Sequence, residues 1–405
     1  MNLLLTQLLG LPGIEVEDYS DLGDRLILTV EAATKQATCP QCGEVSRHLH
    51  QNHDYLVRDL DMGQRQTWLK VNRRQFKCQT CSKPFSEPFD FIQPRRKYTD
   101  RFALHIVQQV LHSDTHNVAL NNGLTDDVVW SMVESLSKKN LNIDLRGLKR
   151  LGIDEIALQK GQKNFITVLV DLDRKTLIGL APSRLQKDIR TVIESWGSEI
   201  LSEIIEVSID LSGNYRGLVQ KMLPQASIVA DRFHVTKIVN EDVNQVRRAV
   251  LKANENNPDP MEKVKVKEAL KQSKYALLKP EAHLTDKQKL KLAEVKAVSP
   301  LLAEAHRQKE AFRDIFQTPK NWTEGTLSLL DWLAENQKRF HGSVGTLCRW
   351  FGEVTAYFDY RTTSGAVEGI NNKLKLIKRS GYGFRNFANF RLRCLICWHL
   401  NCSSA

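Results

Sequence analysis

After Glu368 the chain has no further aspartate or glutamate, while Lys373, Lys375, Lys378, Arg379, Arg385, Arg391 and Arg393 follow it. A terminal segment without acids cannot neutralise itself and calls for a polyanionic partner. Long apolar runs are also missing. Stretches such as "ITVLV" and "LLL" fall far short of the roughly 20 residues that a membrane-spanning helix needs. The opening "MNLLLTQLLGLPGIEVEDYS" has no basic start and turns acidic early, so no signal peptide is expected. There is no internal repeat and no low-complexity tract, which leaves no basis for a repeat architecture. Cysteine is scarce, with eight in 405 residues, and a disulfide framework is not expected in a cytosolic chain.

What is present is a basic chain of ordinary globular composition, 41% hydrophobic and 26% charged, with a formal net charge of +11. Its length predicts several domains. The excess charge gathers in "RQFKC", "QPRRKYTDR", "LRGLKR" and the acid-free C-terminus, which favours nucleic acid as the partner.

Four cysteines form two CxxC pairs, Cys39/Cys42 in "CPQC" and Cys78/Cys81 in "CQTC". A CxxC turn presents two thiolates on one knuckle, and two knuckles complete a tetrahedral zinc site with no open position. The intervening stretch suits a zinc ribbon if it folds as a hairpin. His48, His50 and His53 are then surplus as ligands, and Cys394 and Cys397 read as helix core. Downstream, "HNVALNNGLTDDVVWSMVESL" sets Ala119, Gly123 and Val129 at helix-turn-helix spacing, with Thr125 as N-cap of the second helix. An ordinary helical hairpin has the same pattern. The flanking Arg95, Arg96 and Lys97, with Lys138, Lys139 and Arg150, favour DNA.

From residue 148 the text alternates between strands and helices. "LKRLGIDEIALQKG" is a strand with Asp154 at its end, and "KNFITVLVDLDRKTLIGLAP" gives two strands around Asp171–Lys175. A helix follows, then a strand ending in Asp210, a second helix, and a strand ending in Asp231. This is the order of an RNase H-like sheet, in which the first and fourth strands are neighbours. Asp154 and Asp210 fall at those strands. Three carboxylates can hold a pair of Mg²⁺ ions for phosphodiester chemistry, and the third has to come from a helix. Glu368 opens such a helix: Val367, Ile370, Leu374 and Ile377 recur on one face, and Glu368, Asn371, Asn372, Lys375 and Arg379 form the adjoining polar stripe. Glu155, next to Asp154, is expected to point the other way.

Nearly the whole chain resembles a DDE transposase of the bacterial insertion-sequence family called ISL-three. The matching text includes the "CPxCG" knuckle with its second CxxC, the helix-turn-helix and "LGIDE". The most specific blocks are "VSIDLSGNYRGLV", "ASIVADRFHV" and "AVEGINNKLKLIKRSGYGFRNFxNFRLR". The resemblance implies binding of terminal inverted repeats and Mg²⁺-dependent cleavage and strand transfer. It carries the catalytic and magnesium-binding triad to Asp154, Asp210 and Glu368. Asp231 competes with Asp210 for the second place. Asp231 and His234 also resemble the DxxH motif of related enzymes with helical insertions, which gives them, with Asn371 and Asn372, a supporting role.

The expected architecture is an α/β catalytic core of RNase H-like type with an all-α insertion, behind a small zinc ribbon and helix-turn-helix. The expected boundaries are 1–94 for the zinc-ribbon region, 95–147 for the helix-turn-helix and 148–240 for the first part of the core. The helical insertion takes 241–345 and the C-terminal core helices 346–405. Trp322, Trp332 and Trp350 are expected in the core of these helices, with platforms for a flipped base as the alternative. Lys375, Lys378, Arg379 and Arg385, with Arg95, Arg96 and Lys97, are expected on DNA phosphates. "SGYGFRNF" reads as a loop whose aromatics either stack on bases or pack. Expected cofactors are two Mg²⁺, replaceable by Mn²⁺, and a structural Zn²⁺ on Cys39, Cys42, Cys78 and Cys81. Expected partners are the double-stranded transposon ends and target DNA, and through the family a homodimer or larger assembly. The expected location is cytoplasmic and nucleoid-associated, with no membrane partner. The alternative is a zinc-ribbon and helix-turn-helix regulator with a non-catalytic RNase H-like domain.

Overall fold

The computed structural model describes residues 2–159, 164–318, 321–362, 365–381, 383–384 and 386–400. The chain forms two compact units. One holds residues 2–142 and 388–400, and the other holds most of 143–379.

In the first unit a helix, Asn2–Leu9, precedes strands β1 (Ile14–Asp21) and β2 (Arg25–Ala32), an antiparallel hairpin that turns at Gly23 with φ of 87°. The short strands β3 (Ala37–Thr38) and β4 (Val45–Ser46) pair around the first cysteine knuckle. β5 (Leu49–Arg58) and β6 (Gln66–Lys77) form the hairpin that fills the interval between the knuckles, and β7 (Pro84–Ser86) pairs with the far end of β6. β6 alternates inward and outward, the pattern of a half-buried strand. Its Leu69 and Val71 pack with Leu28, Val30 and Val57, while its Phe76 packs with Cys39, Cys78 and Phe85. One strand thus ties the sheet to the cysteines.

The four sulfurs all lie within 4.8 Å of one another, with Cys39–Cys81 at 3.6 Å, Cys42–Cys78 at 3.4 Å and Cys42–Cys81 at 4.0 Å. Thiolates placed 2.3 Å from one zinc at tetrahedral angles are about 3.8 Å apart, so the set fits the metal. Backbone N–H groups favour the thiolate form. That of Gln41 leads in lowering the Cys39 thiol, and that of Cys81 leads in bringing Cys78 down to about 6. His48, His50 and His53 are outside the cluster.

Three helices follow, Asp100–His112, Thr115–Asn121 and Asp126–Asn140, capped by the side chains of Thr99, Asp114 and Thr125. Ala119 and Val129 are buried, and Gly123 has φ of 64°, as a tight helix-turn-helix corner requires. Ile396, on the helix Phe387–His399, joins this core with Ile106, Val110 and Met132. The sequence puts that last helix in the catalytic core, whereas in the structure its described residues from Ala388 onward pack in the first unit. Helical periodicity announces an apolar face without naming its neighbour. Cys394 is buried in this helix, as expected.

The second unit is built on β8 (Arg150–Gln159), β9 (Asn164–Asp171), β10 (Thr176–Ala181), β11 (Glu206–Ile209) and β12 (Ser227–Ala230). The sheet order is β10-β9-β8-β11-β12. β9 runs antiparallel to β8 and β10, while β8, β11 and β12 are mutually parallel. The first and fourth strands are therefore adjacent, as the RNase H-like reading predicts.

β12 runs straight into the helix Arg232–Asn254. Val235, Val239 and Val243 on that helix share one continuous core with Ile153, Val207 and Val229 of the sheet. The same core takes in Phe312, Leu329, Trp332 and Phe340, so the all-α insertion is no separately cored domain. Trp332 donates from Nε1 to the Gln308 carbonyl at 2.9 Å, and Trp350 is buried with the Arg216 guanidinium 4.7 Å from its ring. Trp322 departs from expectation: it is the first residue of its helix and is 47% exposed.

The purified chain should carry one zinc ion. Changing Cys39→Ser together with Cys78→Ser should abolish it in elemental analysis, while the 143–379 unit keeps its thermal transition. Wild-type protein with no bound zinc would refute the assignment.

Candidate active site

Register brings three aspartates together, although Asp154 lies in the middle of β8, which runs on to Gln159 rather than ending at the acid as the sequence suggests, while Asp210 and Asp231 follow the last residues of β11 and β12. β8 pairs Ile153 with Ile209 of β11, which in turn pairs with Ala230 of β12. The next residue in each strand direction is Asp154, Asp210 and Asp231, so the three form one row across neighbouring parallel strands. The Asp231 N–H bonds the Ile209 carbonyl at 2.7 Å, continuing the ladder into this row. Asp231 also caps the helix Arg232–Asn254: one oxygen accepts from the Phe233 N–H at 2.8 Å, and the other meets His234 Nδ1 at 3.1 Å.

The helix Gly365–Ser380 lies along β8. Val367, Ile370, Leu374 and Ile377 are buried, the face that the periodicity predicts. Three contacts fix its placement. Near its start Val367 comes so close to β8 that a Cβ on Gly152 would sit 3.2 Å from its Cγ2 and 2.8 Å from Leu172 Cδ2. One turn on, Asn371 donates from Nδ2 to Asp154 Oδ2 at 2.6 Å. Two turns further, Lys378 donates from Nζ to the Ala157 carbonyl at 2.7 Å. The segment before the helix is held too: buried Glu206, at the start of β11, accepts a hydrogen bond from the Thr362 hydroxyl, and Arg150 reaches that hydroxyl at 3.3 Å.

These contacts enclose a cavity of about 230 Å³, lined among others by Asp154, Asp231, His234, Glu368, Asn371 and Lys375. Glu155 and Asn372 also line it, and Asp210 adjoins it through its charge interactions with Asp154 and His234. The acids are adjacent without being drawn to ligand separation. Among the described residues, only the cysteines gather three or more metal-ligating groups within 4.8 Å.

The electrostatics are those of crowded carboxylates. Burial raises the Asp210 carboxyl to about 6, against the pull of His234 and with the added push of Glu155 and Asp154. Burial likewise raises Asp154, opposed chiefly by the Glu155 N–H. His234 is raised by its hydrogen bond to Asp231 and then by the charges of Asp231, Asp154 and Asp210. Asp210 Oδ1 and Asn371 Oδ1 are buried without a hydrogen-bond partner among the described residues. Such orphaned oxygens cost free energy unless something occupies them.

Several expectations change. Glu155 is among the residues lining the cavity, and its carboxylate lies 3.4 Å from the Tyr215 hydroxyl and 3.7 Å from Arg184, partners different from the Asn371 amide that meets Asp154. Lys378 is held by β8 rather than offered to phosphate. Asn371 is buried and acts on Asp154, while Asn372, Lys375 and Arg379 are exposed. Arg385 lies outside the described residues, as does Tyr382 of the Gly-punctuated loop. In the first unit Arg95 and Lys97 are exposed, whereas Arg96 bonds the Ser131 hydroxyl and stacks 5.7 Å from the Tyr98 ring. Gly152, Glu206, Thr362 and Phe233 were not singled out from sequence. Only Gly152 carried a signal, a glycine inside a strand, which marks a close approach of other structure.

Gly152→Val should lower the unfolding midpoint of the second unit by the equivalent of about 1–3 kcal/mol, the range for overpacking a core. Gly152→Ala should cost less, because Leu172 can rotate its terminal methyl aside. Thermal melts of both variants check this, and a Val variant as stable as wild type would deny the close approach.

Comparison with known proteins supplies the family. A profile described as "Transposase", of the DDE type in family ISL3, matches residues 151–394. A zinc-finger profile of transposases IS204/IS1001/IS1096/IS1165 matches 35–81, and the helix-turn-helix profile of transposase family ISL3 matches 87–137. The transposase for insertion sequence element IS1001 of Bordetella parapertussis is 29% identical over 94% of both chains. The transposase for IS1557 of Mycobacterium tuberculosis is 28% identical over 64% of this chain and 61% of its own. Among solved structures, the Drosophila P element transposase strand transfer complex aligns over 75% of this chain and 93% of that one. Its identity is 12% and its TM-score 0.38, too slight a likeness to build on. The chain belongs to the ISL3 family of transposases.

Proposed function

We propose that this transposase cuts and joins DNA through Asp154, Asp210 and Glu368, acting on the ends of its own element and on target DNA. The observation that carries the proposal is the row of aspartates across β8, β11 and β12 with the Glu368 helix pinned alongside it by Asn371 and Val367. The regulator alternative loses ground, since the matching family and relatives are transposases.

The donors fit Mg²⁺ by their chemistry: they are hard carboxylate oxygens, and one of them, Asp210 Oδ1, is buried and without a hydrogen-bond partner among the described residues. Asp154, Asp210 and Glu368 would hold two such ions, which when bound supply charge to activate an attacking oxygen and stabilise a leaving one. The remaining work belongs to the chain. Asn371 orients the Asp154 carboxylate by donating to it. Asp231 holds His234 through Nδ1, which sets the ring in the wall of the cavity where a phosphate would lie. Lys375 and Arg379, exposed further along the same helix, would meet the DNA backbone. The helix-turn-helix and the zinc ribbon supply end recognition, with Arg95 and Lys97 as phosphate contacts, and the active assembly is a dimer or larger.

Asp154→Ala and Glu368→Ala should each slow Mg²⁺-dependent nicking of linear DNA bearing the element's ends by at least about 100-fold, while end binding in gel shifts persists. That loss corresponds to several kcal/mol of transition-state stabilisation. Cleavage that survives both changes would remove the proposed site. The pH dependence has a definite sign. A carboxyl raised to about 6 stays protonated below that value and must lose its proton before holding a cation. Metal affinity, measured with Mn²⁺, should therefore fall as pH drops below about 6 and level off above it.

A further inference from the structure

Beside the acidic cavity lies a second one of about 430 Å³, and Phe233 and Glu368 line both. Its other walls include Arg232, Thr236, Arg313 and Gln317. Phe233 is the odd member. It is the second residue of its helix, is 56% exposed, and leans edge-on against His234 with ring centroids 5.5 Å apart. An exposed phenylalanine forgoes the roughly 1.5–3 kcal/mol that burial would return. This one lines both the cavity that holds the two arginines and the cavity that holds the carboxylates. Arg232 has no carboxylate partner among the described residues. Arg313, mostly buried, leaves its Nε without a hydrogen bond among the described residues and has Glu310 at 3.8 Å.

An aromatic face beside two arginines suits one chemistry in particular: a flat base stacked on the ring, with its phosphate on the guanidiniums. A peptide would need apolar or backbone-pairing walls, and an aliphatic ligand would not need the arginines. We propose that this cavity takes one unpaired nucleotide of the DNA strand next to the cleaved bond, its base on Phe233 and its backbone phosphate between Arg232 and Arg313. Stacking there would hold the scissile phosphate over Asp154 and Glu368. This deepens the proposed function and rests on it.

The test uses the full chain and fluorescence anisotropy, with two probes in Ca²⁺ to prevent cleavage. One is a blunt duplex of the element's end, and the other is the same duplex with a short unpaired flank beyond the cleavage position. In wild type the flank should tighten binding. Phe233→Ala should erase that gain, a loss of about 5- to 100-fold on the flanked probe alone, and should slow cleavage in Mg²⁺ by a similar factor. Phe233→Trp should restore both. Because Phe233 is exposed, the Ala variant should melt like wild type. An unchanged flank gain in Phe233→Ala, or full restoration by Phe233→Leu, would overturn the stacking site. Asp154→Ala separates the two failures, since it should keep the flank gain yet not cleave. If it cleaves, the catalytic reading fails. If it is dead while Phe233→Ala behaves as wild type, only the nucleotide site fails.

Discussion

The seating of one helix on one strand governs the second unit. Val367 fits over Gly152, and a turn later Asn371 reaches Asp154, a residue 217 positions earlier in the chain. A helix packed on any other strand would carry Glu368 away from the aspartates. Between the two partners the chain leaves the sheet, builds a helical mass and returns. That excursion would be hazardous if it folded independently, because small tilts at its base would translate into ångströms at Glu368. The continuous core, running from Ile153 and Val229 through Val239 to Phe312 and Trp332, removes that freedom. Dense packing makes such a core resist deformation and transmit position. The Glu206–Thr362 hydrogen bond then fixes the returning strand of chain just ahead of the helix.

Setting aspartates in one row is costly. Each carboxylate raises the free energy of ionising its neighbours, and burial adds to the penalty. The fold meets part of it with His234, which feels all three aspartates, and part with the Asn371 amide. It leaves the remainder standing, in a raised Asp210 with one oxygen unpartnered among the described residues. Uncompensated negative charge of this kind is a disadvantage for stability alone and an advantage for gathering cations. In the first unit, by contrast, the cysteine sulfurs already stand at the spacing of a closed tetrahedral site.

Much of this was legible because it depends on local periodicity. The buried face of the Glu368 helix follows from Val367, Ile370, Leu374 and Ile377. The helix-turn-helix follows from Ala119, Gly123 and Val129, and strand order from where acids and glycines interrupt apolar runs. What escaped depends on which surfaces meet. Nothing local distinguishes a lysine offered to solvent, such as Lys375, from Lys378, whose ammonium is spent on a strand carbonyl. Nor does a buried face reveal its partner: the described residues of the last helix from Ala388 onward pack in the first unit, and the helical insertion shares the core of the sheet. Trp322 misled for the converse reason: a large aromatic is ordinarily buried, yet this one opens a helix at the surface.

The rivalry between Asp210 and Asp231 has a physical answer in the use of their oxygens. Both occupy the same row, so position alone cannot rank them. Asp231 has committed one oxygen to the Phe233 N–H and the other to His234, bonds that cap a 23-residue helix and orient a ring. Replacing those bonds with a metal would loosen the helix that joins sheet to insertion. Asp210 carries no such structural duty through Oδ1, and it follows a four-residue strand whose every residue is buried. A rigid backbone with an idle oxygen favours a ligand, whereas a carboxylate already spent on a cap and a histidine favours a support. On the proposed reading Asp210 would hold the cation, while Asp231 holds the histidine.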